Sequence, residues 1–135
     1  MMSTIPTDIR DRILAKARVD WPDDFEMQKY TVDKQIAAYA ELQQLRNELG
    51  ENVFAIPIFQ SSTAAWPYDF EMELHTVKNQ LDAGIRFFQY ESNEIPADIL
   101  EQIKTRCMSE WPDDHEMKLY TLEKQIEAWK QLNSI

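Results

Sequence analysis

The sequence predicts an all-α protein of three tandem units of about 45 residues, each a helical hairpin of one short and one long helix. Three observations carry the prediction. WPDDFEM at Trp21–Met27 returns as WPYDFEM at Trp66–Met72 and as WPDDHEM at Trp111–Met117, one phrase written three times at a 45-residue period. Only two glycines occur, and the prolines stand at the starts of segments, which disfavours the frequent turns of a β protein. The residues after the first phrase are amphipathic at helical spacing: Phe25, Met27, Thr31, Val32, Gln35, Ile36, Ala38, Tyr39 and Leu42 fall on one arc, with Glu26, Lys29, Tyr30, Asp33, Lys34 and Glu41 opposite.

The units run over 5–49, 50–94 and 95–135 within one domain spanning 1–135. The outer two are close copies. Ile5, Pro6, Asp8, Ile9 and Ile13 match Ile95, Pro96, Asp98, Ile99 and Ile103, and Tyr30, Thr31, Lys34, Gln35, Ile36, Ala38 and Leu42 match Tyr120, Thr121, Lys124, Gln125, Ile126, Ala128 and Leu132. The middle unit keeps Trp66, Pro67, Asp69, Phe70, Glu71, Met72, Thr76, Val77, Gln80 and Ala83, but its first half has lost the pattern. Each unit needs its neighbours to bury its apolar face.

Taken in order, the elements follow one grammar: apolar residue, proline, any residue, aspartate. Proline tolerates the first helical position, and an acid two residues later sits among free N–H groups at the positive end of the helix dipole. Ile5-Pro6-Thr7-Asp8 therefore opens a short helix near 6–19, and Ile9, Ile13, Leu14 and Ala17 form its apolar stripe. Trp21-Pro22-Asp23-Asp24 opens a long helix near 22–48, with Gly50 as its stop. Residues 53–65 are expected to be irregular or extended, with a short helix before Trp66 as the alternative, because Pro57 interrupts and Phe54, Ile56 and Ile58 alternate. Trp66-Pro67-Tyr68-Asp69 starts a long helix near 67–90, Ile95-Pro96-Ala97-Asp98 a short one near 96–109, and Trp111-Pro112-Asp113-Asp114 a long one near 112–134. The tryptophans are read as packing residues that close the hairpin corners.

Composition narrows the functional classes. A net charge of −10 and a pI near 4.6 repel nucleic-acid phosphate and anionic lipid, so neither nucleic acid nor a membrane surface is an expected partner. A basic protein fits better. No apolar run approaches the roughly 20 residues that span a bilayer, the start MMSTIPTDIR has no apolar core of a secretion signal, and the one cysteine, Cys107, forms no internal disulfide. A cytoplasmic protein is the expectation.

No catalytic signature stands out. His75 and His115 occupy non-equivalent unit positions, and neither belongs to a zinc-binding spacing. Cys107 replaces Ala17 on a buried stripe and reads as an inert small residue. Clustered acids at Asp20, Asp23, Asp24 and Glu26, and at Glu110, Asp113, Asp114 and Glu116, lack the loop that would wrap a calcium or magnesium ion and read as helix-start electrostatics. Neither enzyme activity nor a cofactor or metal is expected.

Two polar features recur in all three units. Thr31 with Gln35, Thr76 with Gln80 and Thr121 with Gln125 lie inside the apolar arc, where a glutamine needs partners at both ends of its amide. They are read as interhelical hydrogen bonds that fix register; the alternative is a pseudo-threefold polar pocket that takes a small ligand or metal. An outward row at i, i+4 and i+8 comprises Glu26, Tyr30 and Lys34, then Glu71, His75 and Asn79, then Glu116, Tyr120 and Lys124. These rows are expected to bind a protein partner. The function read from the sequence is thus a non-catalytic helical-repeat module. A homo-oligomeric structural protein is the alternative, resting on the apolar Phe54, Ile56, Ile58, Phe59, Phe87, Phe88 and Tyr90.

Overall fold

The computed structural model describes residues 5–135. Among them there are six α-helices and no strand: α1 (Thr7–Asp20), α2 (Phe25–Leu49), α3 (Ala55–Ala65), α4 (Phe70–Phe88), α5 (Ala97–Glu110) and α6 (His115–Leu132). The all-α class expected from the repeat and from glycine scarcity holds. None of these helices is long and apolar enough to cross a membrane. The chain forms two compact units, one up to Val77 and one from Lys78.

The tryptophan phrases differ from the expectation in one instructive way. The long helices begin at Phe25, Phe70 and His115, three residues after the prolines predicted to start them. Pro22 instead occupies the second position of a turn closed by the Asp24 N–H donating to the Trp21 carbonyl at 3.2 Å, and Asp23 follows with φ 62°. Proline followed by a positive φ is the signature of a type II turn. Pro67 and Tyr68 repeat it, with the Asp69 N–H on the Trp66 carbonyl at 3.2 Å and φ 59° at Tyr68. An aspartate caps each long helix: Asp24 and Asp114 each accept from the N–H three residues on at 3.1 Å, and Asp69 does so at 3.3 Å. At Ile5-Pro6 and Ile95-Pro96 the proline is the cap residue itself and the helix starts one residue later, close to the expectation.

The three tryptophans share one backbone conformation, but the type II turn belongs to the first two corners alone, since Asp113 has no positive φ. Trp21, Trp66 and Trp111 have φ/ψ of −130°/64°, −130°/63° and −131°/64°, and each donates its N–H to the carbonyl four residues back. Their rings are only partly covered, so they cap the corner from outside rather than fill the core.

At residues 53–65 the alternative holds and the irregular or extended reading is corrected. They are neither irregular nor extended; α3 occupies Ala55–Ala65, and Asn52 accepts from the N–H groups of Phe54 and Ala55 at its start. Pro57 falls in the first turn, where a missing N–H leaves no helical bond unmade. The apparent alternation was a helical stripe seen too briefly: Ala55, Ile58, Phe59 and Ser62 are its buried residues.

In the first unit α1 packs on α2, and α3 also meets α2. Ile13, Ala17, Ala38, Leu42, Ile58, Phe59, Phe70 and Val77 are buried there. In the second, α5 packs on α6, and the core gathers Ala83, Phe87, Ile95, Ile103, Cys107, Leu119, Leu122 and Ile126. Full burial of Leu42, Phe87 or Leu122 contributes on the order of 1.5–3 kcal/mol each. Ala17, Ser62 and Cys107, one period apart, are all buried, so each short helix turns a small residue inward at the same step. α2 ends at Leu49, and Gly50 follows it with φ −62°. The stop is where expected, without a left-handed cap.

Candidate interaction surface

Two of the three repeated glutamines are helix-start clamps. Gln35, half-buried on α2, donates from Nε2 to Asp69 Oδ1 at 3.1 Å and accepts the Phe70 N–H on Oε1 at 2.8 Å. Gln80, on α4, repeats the contact with α6: Nε2 donates to Asp114 Oδ1 at 3.0 Å, and the His115 N–H reaches Oε1 at 2.7 Å. One amide satisfies both the capping carboxylate and the first free N–H of a helix that begins 35 residues later. Thr31 stands beside Gln35 and Asp69 on the wall of a cavity of about 270 Å³, which Tyr68 and Met72 also line. Gln125 meets no hydrogen-bond partner among the described residues.

The outward rows are exposed as their spacing implied. Tyr30 and Tyr120 are both more than half exposed, with Lys34 Nζ 5.4 Å from the Tyr30 ring centre and Lys124 Nζ 5.5 Å from that of Tyr120. Glu26, Glu71, His75 and Glu116 are exposed, and Asn79 is half-buried. Tyr120 and Glu116 also rim a groove of about 300 Å³ between α4 and α6, floored by Ala83 and Leu119 and edged by Asp82, Arg86 and Glu123. Its charge is net negative.

Phe25 departs from its predicted place. The wheel set it on the buried arc, yet it is largely exposed, whereas Phe70 and His115 at the same unit position are buried. Periodicity assigns a face to a side chain but does not say what, if anything, lies against that face.

Other buried polar groups lie outside the residues singled out from the sequence. Glu73 is buried on α4 and receives the Arg46 guanidinium at 2.5 Å and the Thr63 hydroxyl at 3.1 Å. Phe70, Glu73 and Val77 fall at i, i+3 and i+7, a pattern that marks position 73 as inward-facing. Lys118, at the equivalent place on α6, is also buried; its ammonium donates to the Pro112 carbonyl at 3.0 Å and meets His115 Nδ1 at 3.2 Å. Burial, and then the Lys118 charge, lower the His115 pKa below its usual 6.5, and burial lowers that of Lys118. In its neutral form His115 can accept from Lys118 on Nδ1 with its own proton on Nε2. The ring also packs edge-on to Phe88 at 6.1 Å.

Cys107 is buried, and desolvation raises its pKa, the environment of a structural thiol. The acid clusters have protein partners. Asp20 pairs with Lys16 and Glu110 with Arg106, while Asp24 and Asp114 cap helices. No three His, Cys, Asp or Glu side chains among the described residues converge as a metal site would require. The chain matches no known family, no curated protein and no solved structure.

Proposed function

We propose that the chain is a non-catalytic interaction module of three tandem helical hairpins that binds a basic segment of another protein through its acidic, tyrosine-bearing rows. One observation carries the reading: Tyr120 stands exposed on the rim of a groove whose edges bear Asp82, Glu116 and Glu123 against a single Arg86. A lysine or arginine of a partner can take the place of Lys124 over the Tyr120 ring while the acids receive its remaining donors. Tyr30 and Lys34 form the same pair on α2. Tyrosine supplies contact area at small entropy cost, which suits it to anchor an interface.

Small-ligand or metal binding at the Thr31/Gln35, Thr76/Gln80 and Thr121/Gln125 cluster draws less support, because the amides of Gln35 and Gln80 already hold helix starts. The apolar surplus of the middle unit draws less support as a dimer face, since Ile58, Phe59 and Phe87 are buried.

The test is affinity capture with wild type and with a variant carrying Tyr30→Ala, Tyr120→Ala, Glu26→Lys and Glu116→Lys. Basic proteins held by the wild type at low salt should be released by moderate salt and not held by the variant. Unchanged capture overturns the reading.

A further inference from the structure

The two ends of the repeat present complementary halves of a contact that the chain already makes twice within itself. Three sets of positions, each one period apart, show it. Phe70 and His115 are 6% and 8% exposed, but Phe25 is 74% exposed. Leu42 and Phe87 are both 0% exposed, but Leu132 is 68% exposed. Asp69 and Asp114 each receive a glutamine amide as well as their own capping N–H, whereas Asp24 receives only the Met27 N–H, and Gln125 is the glutamine without an aspartate among the described residues.

We propose that a second copy of this chain docks head-to-tail, its Gln125 and Leu132 meeting Asp24 and Phe25 of the first copy. The occupant follows from the contacts made in cis. Gln35 clamps the start of the next long helix while Tyr39 packs edge-on to Phe70 at 5.0 Å; Trp129 stands where Tyr39 stands, half-buried against the core of its own unit. The receiving end is a groove of about 210 Å³ between α1 and α2, lined by Leu14, Ala17, Phe25 and Val32. Val77 and Leu122, the counterparts of Val32, are fully buried, while Val32 is not. The donor and receiver surfaces differ, so the contact is heterologous, and each docked copy leaves one of each surface open. This inference uses the ends of the repeat and none of the residues assigned to the basic partner, so either reading can fail alone.

Sedimentation of the 135-residue chain over a concentration series reads the result directly. Wild type should grow with concentration beyond a dimer. Phe25→Asp and Leu132→Asp should each remain monomeric, because each removes one half of the contact at an exposed position. Mixed in equal amounts they should form a dimer and nothing larger, since each supplies the half that the other lacks. Gln125→Ala should weaken association about 5- to 10-fold, the worth of roughly one net hydrogen bond. A wild type that stays monomeric at millimolar concentration overturns the proposal. So does an associating wild type whose two variants fail to restore a dimer on mixing, which would mark an isologous face. Far-UV circular dichroism confirms that the variants keep their helices; should either lose them, Phe25→Gln and Leu132→Gln repeat the mixing experiment with the same outcomes.

Discussion

The carboxylate of Glu73, 2% exposed, is held by the guanidinium of Arg46 from 27 residues earlier in the chain. Thr63 adds a hydroxyl donor, so α2, α3 and α4 meet at one buried charge. Removing one partner strands a desolvated ion, which costs about 3–5 kcal/mol, whereas replacing both with apolar groups is often neutral. Arg46→Met should therefore lower the urea midpoint sharply. Arg46→Met with Glu73→Met should recover most of the loss.

Gln35 and Gln80 each satisfy a helix-start N–H and a capping aspartate. Gln35→Ala and Gln80→Ala should each destabilise by about 1–3 kcal/mol, because a half-buried N–H and carboxylate lose a partner together. Gln35→Glu should cost at least as much, since the new carboxylate faces Asp69. Gln125→Ala should change the stability of the dilute monomer by less than about 0.5 kcal/mol. Denaturant titrations of the four variants check this order.

Acid should weaken the second unit through His115. Its pKa in the folded chain lies below 6.5, so between that value and 6.5 the unfolded chain binds a proton that the folded chain does not. Stability from this group is complete above pH 6.5 and falls as the pH drops toward the folded value. Phe occupies the equivalent position in the other two units, as Phe25 and Phe70. His115→Phe should therefore show a smaller fall in melting temperature from about pH 7.5 to about pH 5 than wild type does. Background carboxylate titration is common to both proteins and cancels in the comparison.

Tyr68 holds a left-handed backbone, which costs a residue with a β-carbon roughly 1–2 kcal/mol, while its ring lies 4.1 Å from the Arg12 guanidinium. An exposed cation–π contact recovers about 0.5–1 kcal/mol. Tyr68→Asn should be slightly stabilising, and more so in an Arg12→Ala background, where the ring has no cation to lose. Thermal melts of the two-by-two set test the sign.

The sequence made the helical class legible because the wheel of α2 and the scarcity of glycine point the same way. The common conformation of the three tryptophans follows their shared phrase, whereas the turn after Trp111 differs from the other two. The long-helix starts were not: Trp-Pro-x-Asp supports either proline at the first helical position or a type II turn with the aspartate as cap, and only the left-handed φ of Asp23 and Tyr68 separates the two. Pro57 hid α3 because a proline tolerated in a first turn looks, in a short apolar run, like a helix breaker. The outward rows were legible from their spacing. Gln35 and Gln80 reach the start of another helix while Gln125 reaches none among the described residues, and the targets lie 34 or 35 residues away, a separation that periodicity within one helix does not encode. Phe25 was misplaced for the same reason.

Both clamps reach forward by the same number of residues. Each 45-residue segment of the sequence carries one such amide and one such aspartate, and the two clamps join successive segments. A segment that carries both halves of its joint can differ from its neighbours elsewhere, as histidine at position 115 does from phenylalanine at positions 25 and 70.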